Sequence, residues 1–334
     1  MSINRESVID LIRIYLIIAL ICCHAFAPFS GAWQPINSES VQLYKWFARL
    51  AYASLLETFV LISGFLYCRK QHELIPLHRL FSNKFKRLYI PTIIFGIIYA
   101  FILGIEFNME TVFRILNGIG NLWFLPMLLW TFIIYSILKK FITNDKVVTI
   151  ILIFLAVLPY PTLPLQLNNT MYYLFFFHIG CLLAKYVSFN ENIKKPMTTG
   201  VLLVLYIILF IISYFIRDNY LFVSDNLPIL KKAFYILLRH VCRFSYSCIG
   251  ALLIYSLFSM LSKCYKENLT SLANLCFGIY LVHEMILRLL YYRWHLVDYV
   301  GILCLPWLSI FITLFLSVLS VRFLKLFKIT RYII

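Results

Sequence analysis

The sequence predicts an all-α, polytopic membrane helix bundle, and three observations point there. Of 334 residues, 62% are hydrophobic and 13% charged, too apolar a balance for a soluble chain of this length. Apolar runs of about 17 to 25 residues, enough to cross a bilayer core as helices, recur from one end to the other. The lysines and arginines gather in short blocks between those runs, as topogenic charges do.

The runs give about ten expected spans, beginning near Val8, Ala48, Tyr89, Leu122, Val147, Thr170, Thr199, Arg239, Leu272 and Ile302. The connector holding Arg69, Lys70, Arg79, Lys84, Lys86 and Arg87 is assigned to the cytoplasm by its charge. That phase makes both termini cytoplasmic. It also places Lys139, Lys140 and Lys146, then Lys185, Lys194 and Lys195, then Lys263 and Lys266, and finally Lys325, Lys328 and Arg331 inside. The connector with Arg217, Lys231 and Lys232 against Asp218 and Asp225 falls outside, and an interfacial segment is the other reading of it. The first run is long, carries Asp10 and Arg13 and lacks a small-residue cleavage site, so it is expected to stay as helix one. No repeat, low-complexity tract or appended soluble domain is visible, and residues 1–334 are read as a single transmembrane domain.

The formal charge of +16 belongs to those topogenic blocks, so nucleic acid is not an expected partner. Nine cysteines are scattered singly apart from adjacent Cys22 and Cys23, without CxxC or Cys/His spacing. Packing is their expected use, and no metal site is expected.

Chemistry enters through Arg13 and His24, two ionisable side chains inside the first apolar run, where such groups are costly unless used. Eleven positions at 100° each put them on one helix face, about 16 Å apart along the axis. A neutral imidazole can take a proton from a hydroxyl, and an arginine stays cationic and suits phosphates or a developing oxyanion. The pair fits acyl transfer to an alcohol. The competing readings are a hydrogen bond from His24 to a neighbouring helix, and a snorkelling Arg13 paired with Asp10. Glu57, near the middle of the second helix, either orients His24 or Arg13 or belongs to a structural ion pair. His283 and Glu284 are expected midway along the ninth helix as polar lining, with Arg288 toward its outer end as a binder of acidic glycan or lipid phosphate. Trp123 either anchors a membrane interface or stacks on a sugar.

The Arg13-x10-His24 spacing resembles the R-x10-H motif in the first helix of the acyltransferase-3 family of integral membrane acyltransferases. Phe59-Val60-Leu61-Ile62-Ser63-Gly64-Phe65 is similar to the family's FFxxSGF signature, and Lys84-Phe85-Lys86-Arg87 stands where the family carries RxxR before a proline, here Pro91. Asn121-Leu122-Trp123-Phe124-Leu125 resembles its LWFL, and Gly278-Ile279-Tyr280-Leu281-Val282-His283 its IYLxH. The landmarks come in the family's order and cover nearly the whole chain. The length and the lack of a C-terminal hydrolase-like domain look most similar to stand-alone members that O-acetylate surface glycans such as enterobacterial common antigen, and resemble a poly-N-acetylglucosamine biosynthesis member labelled an exporter.

The resemblance implies a bacterial inner-membrane O-acetyltransferase with no permanently bound cofactor. Its donor is acetyl-CoA or another acyl-CoA from the cytoplasm, and its acceptor a hydroxyl of a surface or lipid-linked glycan. Membrane lipids and other glycan-assembly proteins are the further partners implied. By the same resemblance His24 is the general base, Arg13 lies along the donor path, and Lys84 with Arg87 holds the CoA phosphates. Lys84 replaces the family's first arginine and so lacks its bidentate fork. Ser63 and Gly64 read as helix-packing residues rather than chemistry. The alternative function is export or flipping of a polysaccharide or its lipid-linked precursor. A nonenzymatic scaffold is the third, and function independent of His24 would mark it.

Overall fold

A computed structural model describes residues 3–36, 41–52, 54–70, 75–158, 160–223, 228–264 and 269–327. Lys266, Lys328 and Arg331, used above for orientation, and Asp225 lie outside the described residues. Among the described residues there are sixteen α-helices and no strand. In chain order the helices are α1 (Ile3–Ala25), α2 (Ala27–Ser30), α3 (Gln42–Tyr52), α4 (Leu55–Arg69), α5 (Leu77–Lys84), α6 (Ile90–Ile102), α7 (Met109–Leu116) and α8 (Phe124–Phe141). They continue as α9 (Asp145–Val157), α10 (Leu167–Lys185), α11 (Val187–Ile193), α12 (Pro196–Val223), α13 (Ile229–Cys264), α14 (Thr270–Ala273), α15 (Cys276–Arg288) and α16 (Val297–Leu324). The chain forms two compact units, one of residues 1–55, 81–129 and 267–334, the other of residues 56–80 and 130–266.

The fold is all-α and polytopic, with fewer full-length spans than the ten expected. Among the described residues seven stretches are long and apolar enough to cross a membrane: Ser7–Ala25, Leu43–Arg69, Leu77–Ile102, Gly120–Phe141, Pro196–Ser213, Lys231–Ser262 and Val297–Leu324. Helices α10 and α11, bent by 106°, make an eighth if the pair is one span. The span expected near Val147 folds as α9, 13 residues long, and the one near Leu272 as α15, which continues without a break through a π-helical turn, Leu289–Arg293. At 1.5 Å per residue α9 is about 20 Å long, short of a hydrocarbon core of about 30 Å. Val204, Ile208, Ile211 and Phe215 on α12, and Phe311, Phe315 and Phe323 on α16, stay exposed, as lipid-facing side chains do.

In the first unit α1 lies at the centre, with Ile12 and Leu16 wholly buried, and packs against α3, α14, α15 and α16. The basic run enters α6 through a π-helical turn, Phe85–Tyr89, in which the Ile90 N–H reaches back to the Phe85 carbonyl. Pro91 follows, with no N–H to donate and a ring that crowds the carbonyl four residues earlier, and the wider turn accommodates both.

In the second unit, α4 and α10 approach through glycines. A Cβ on Gly64 would strike the backbone of Phe177, and one on Gly180 the backbone of Leu61. The Cys181 thiol, in that crossing, donates to the Gly64 carbonyl at 3.3 Å. Asp145, at the start of α9, accepts from Lys139 Nζ at 2.8 Å, Lys185 Nζ at 2.6 Å and the Tyr186 hydroxyl at 2.7 Å. Burial opposes its ionisation, but these donors outweigh burial and hold the carboxyl well below the usual carboxylate range.

Two expectations follow for the second unit. Gly64→Ala or Gly180→Ala should destabilise the protein by about 2 kcal/mol or more, because backbone must move, whereas Gly200→Ala, with open space at its Cβ, should not; thermal unfolding in detergent separates them. For Asp145 the folded-state pKa is depressed, so its contribution is complete above the unfolded value of about 3.9 and fades as pH falls through the folded one. Asp145→Asn should therefore lower the thermal midpoint at pH 7, with the gap to wild type closing only below about pH 4.

Candidate active site

His24 stands in the last turn of α1, partly exposed, beside α15. Its Nδ1 lies 3.0 Å from Nε2 of His283, with the two ring planes within 7° of parallel. His283 is wholly buried, and its Nδ1 faces the carbonyls of Tyr280 at 2.9 Å and Ile279 at 3.1 Å. Carbonyl oxygens only accept, so His283 Nδ1 carries the proton and, with the ring neutral, Nε2 is bare. The bond between the imidazoles must then be donated by His24 Nδ1. That leaves His24 Nε2 as an unprotonated lone pair on a side chain open to its surroundings, the form a general base needs.

The residues around this pair hold it in place. Asn121, in the 3-10 turn Gly120–Trp123, donates through Nδ2 to the Tyr280 carbonyl at 2.7 Å, and the Tyr280 hydroxyl donates back to the Asn121 carbonyl. The turn needs glycine at 118, where φ is +86° and a Cβ would collide with the backbone of Trp123. Tyr291 donates to the Ala25 carbonyl at 2.8 Å and so ties down the residue after His24. Next to His283, Glu284 is buried, and its Oε1 accepts from the Tyr99 hydroxyl at 3.0 Å and from Arg288 Nε at 2.7 Å. The Arg288 guanidinium lies 4.3 Å over the Trp33 ring, whose centroid is 5.5 Å from that of His24.

Of the residues read from the sequence, His24, His283, Glu284 and Arg288 therefore come together. Arg13 sits near the middle of α1, eleven positions or about 16 Å away along the axis, and its Nη1 points back to Asp10 at 3.7 Å. Asp10 in turn accepts from Thr270 at 3.1 Å, so the pairing weighed for Arg13 is present. Arg87, exposed in the π-helical turn, is near enough for its charge to act on Arg13, and Lys84 is the residue before that turn. Trp123 ends the 3-10 turn and meets Phe124 edge to face. Glu57 lies in the second unit, where it accepts from the hydroxyls of Tyr172 at 3.1 Å and Ser247 at 3.2 Å. His178 is likewise bonded there, to Tyr135 and Thr149, both at 3.0 Å.

Trp33 and Tyr99 escaped the sequence reading. Tyr99 is the one tyrosine in an otherwise apolar helix, a pattern that calls for a buried partner. Trp33 lies in the irregular stretch after α2, where no periodicity marks a facing residue.

The tautomer assignment has a direct spectroscopic consequence. The ¹⁵N shifts of labelled imidazoles should report His24 protonated at Nδ1 and bare at Nε2, and His283→Phe should abolish that preference while leaving insertion intact. A His24 protonated at Nε2 in the wild type would refute the assignment.

Comparison with known proteins gives one result. No curated protein and no solved structure matches the chain. A family model described as an acyltransferase domain matches residues 7–324, which takes in the His24 to Arg288 site and the basic turn. The chain belongs to the acyltransferase-3 family and is a multi-pass membrane acyltransferase.

Proposed function

We propose that the protein transfers an acetyl group from cytoplasmic acetyl-CoA to a hydroxyl of a cell-surface or lipid-linked glycan in the bacterial inner membrane, with His24 as the general base. The observation that carries this reading is the 3.0 Å contact of His24 Nδ1 with His283 Nε2, from which a bare Nε2 on His24 is inferred. In the reaction, His24 Nε2 takes the proton from the acceptor hydroxyl as its oxygen attacks the thioester carbon. Collapse of the tetrahedral adduct breaks the C–S bond, and the CoA thiolate leaves with the proton returned from His24. His283 is a positioning residue: it holds the tautomer and shares the charge of the transient imidazolium.

Two levels along α1 divide the donor. Arg13 and Arg87, with Lys84 beside them, form a cationic mouth suited to the CoA phosphates. The long pantetheine arm then runs along α1 toward His24. Positive charge in the 69–87 connector supports a cytoplasmic mouth and cytoplasmic termini. The aromatic groups near His24, Trp33 and Tyr292, are of the kind that cover a sugar face.

Membranes carrying the wild-type protein should pass labelled acetyl from acetyl-CoA to envelope glycan, and His24→Ala should reduce transfer by at least about a thousandfold at equal expression. Arg87→Ala should instead raise the KM for acetyl-CoA about tenfold or more with a smaller change in kcat. Transfer by His24→Ala at the wild-type rate would overturn the base assignment, and glycan export without acetylation would replace the enzyme reading by a transporter.

A further inference from the structure

Once His24 has taken its proton, negative charge develops on the thioester carbonyl oxygen, and a preorganised donor near His24 Nε2 is needed to receive it. Arg13, the motif's cation, is badly placed for this. Its side chain leans toward the start of α1, against Asp10, about 16 Å along the axis from His24. A second cation stands at the His24 end.

Resting on the acyl-transfer reading above, we infer that Arg288 is the oxyanion stabiliser of the reaction, its guanidinium aimed by Glu284, Tyr99 and Trp33. Arg288 spends Nε on Glu284 at 2.7 Å, and its Nη groups have no hydrogen-bond partner among the described residues. Glu284, buried and bonded also by Tyr99, is a fixed anchor. Trp33 flanks the guanidinium at 4.3 Å and reaches to His24. The side chain keeps 26% of its surface exposed, so it is not sealed off from a substrate. Glu284 also offsets the charge of Arg288, which lets a cation stand near a histidine that must itself become cationic. The donor's phosphates and its thioester are thus served by different arginines, one at the middle of α1 and one beside its His24 end.

The step balances without a further reactant. The acceptor oxygen forms a bond to the thioester carbon, and the carbonyl π pair moves onto its oxygen, which accepts hydrogen bonds from Arg288 Nη. The pair returns as the C–S bond breaks, and the thiolate takes its proton from His24. Glu284 and Tyr99 touch no reacting atom and are positioning residues.

The test is steady-state kinetics of purified protein in proteoliposomes, with acetyl-CoA and the glycan fraction that wild type acetylates. Arg288→Gln should lower kcat by about a hundredfold or more, leaving both KM values within about threefold of wild type. Arg288→Lys should recover part of the loss, and Glu284→Gln, which can still accept from Arg288, should fall between. Thermal midpoints of all three identify any variant whose loss is one of folding, and Arg288→Lys keeps the comparison available if Arg288→Gln does not fold. An unchanged kcat in Arg288→Gln would overturn the inference. So would a loss confined to the KM of the glycan, which would make Arg288 an acceptor-binding residue instead. A His24→Ala variant as active as wild type in the same assay would identify the acyl-transfer reading as what failed.

Discussion

The site depends on a hydrogen bond between two imidazoles that lie 259 positions apart in the chain. Its direction is dictated on the far side, because His283 Nδ1 can only donate to the backbone carbonyls of Ile279 and Tyr280. Those carbonyls are held by the helix they belong to, and Asn121 bonds the second of them. Helix geometry, a glycine-dependent turn and one buried histidine together set which nitrogen of His24 is free. A histidine without this partner would divide between two tautomers, one of them useless as a base at Nε2.

Ionisable groups in a bilayer must be paired or used, and the two units meet that constraint differently. In the second unit Glu57 is bonded by Tyr172 and Ser247, with the Arg243 guanidinium 4.9 Å over the Tyr172 ring, and Asp145 is held by three donors. These polar groups satisfy one another and account for their own presence. Among the described residues of the first unit the accounting is incomplete: His24 keeps a bare nitrogen, the Arg288 Nη groups have no hydrogen-bond partner, and the ion pair of Arg13 is a 3.7 Å contact to Asp10. Unspent hydrogen-bonding capacity at the middle of α1 and at its His24 end is what a bifunctional donor with phosphates at one end and a thioester at the other can fill.

Much of this was legible in the sequence, for physical reasons that also mark where legibility stops. Apolar composition and charge blocks report helices in lipid, and the shared face of Arg13 and His24 follows from 3.6 residues per turn. Helix length is less visible. The segment near Val147 is apolar enough for a span but folds as a 13-residue helix, because hydropathy does not show where a helix breaks. Contacts between distant segments leave no local trace, so the pairing of His24 with His283 could not be read, although both residues had been singled out. Glu57 looked equally costly to bury, and its neighbours Tyr172 and Ser247 are the features that its own segment cannot announce. Trp33 was missed because irregular backbone has no period to read.

The central claim is that the thioester of the donor is delivered to His24 while its phosphates stay beside Arg13, about 16 Å along α1. The most direct measurement is a structure of the protein in lipid with a non-reactive thioether analogue of acetyl-CoA bound. The account predicts the analogue's carbonyl carbon within about 4 Å of His24 Nε2, its oxygen in hydrogen-bond range of Arg288, and its phosphates against Arg13 and Arg87. An analogue bound with its acyl end remote from His24 would contradict it.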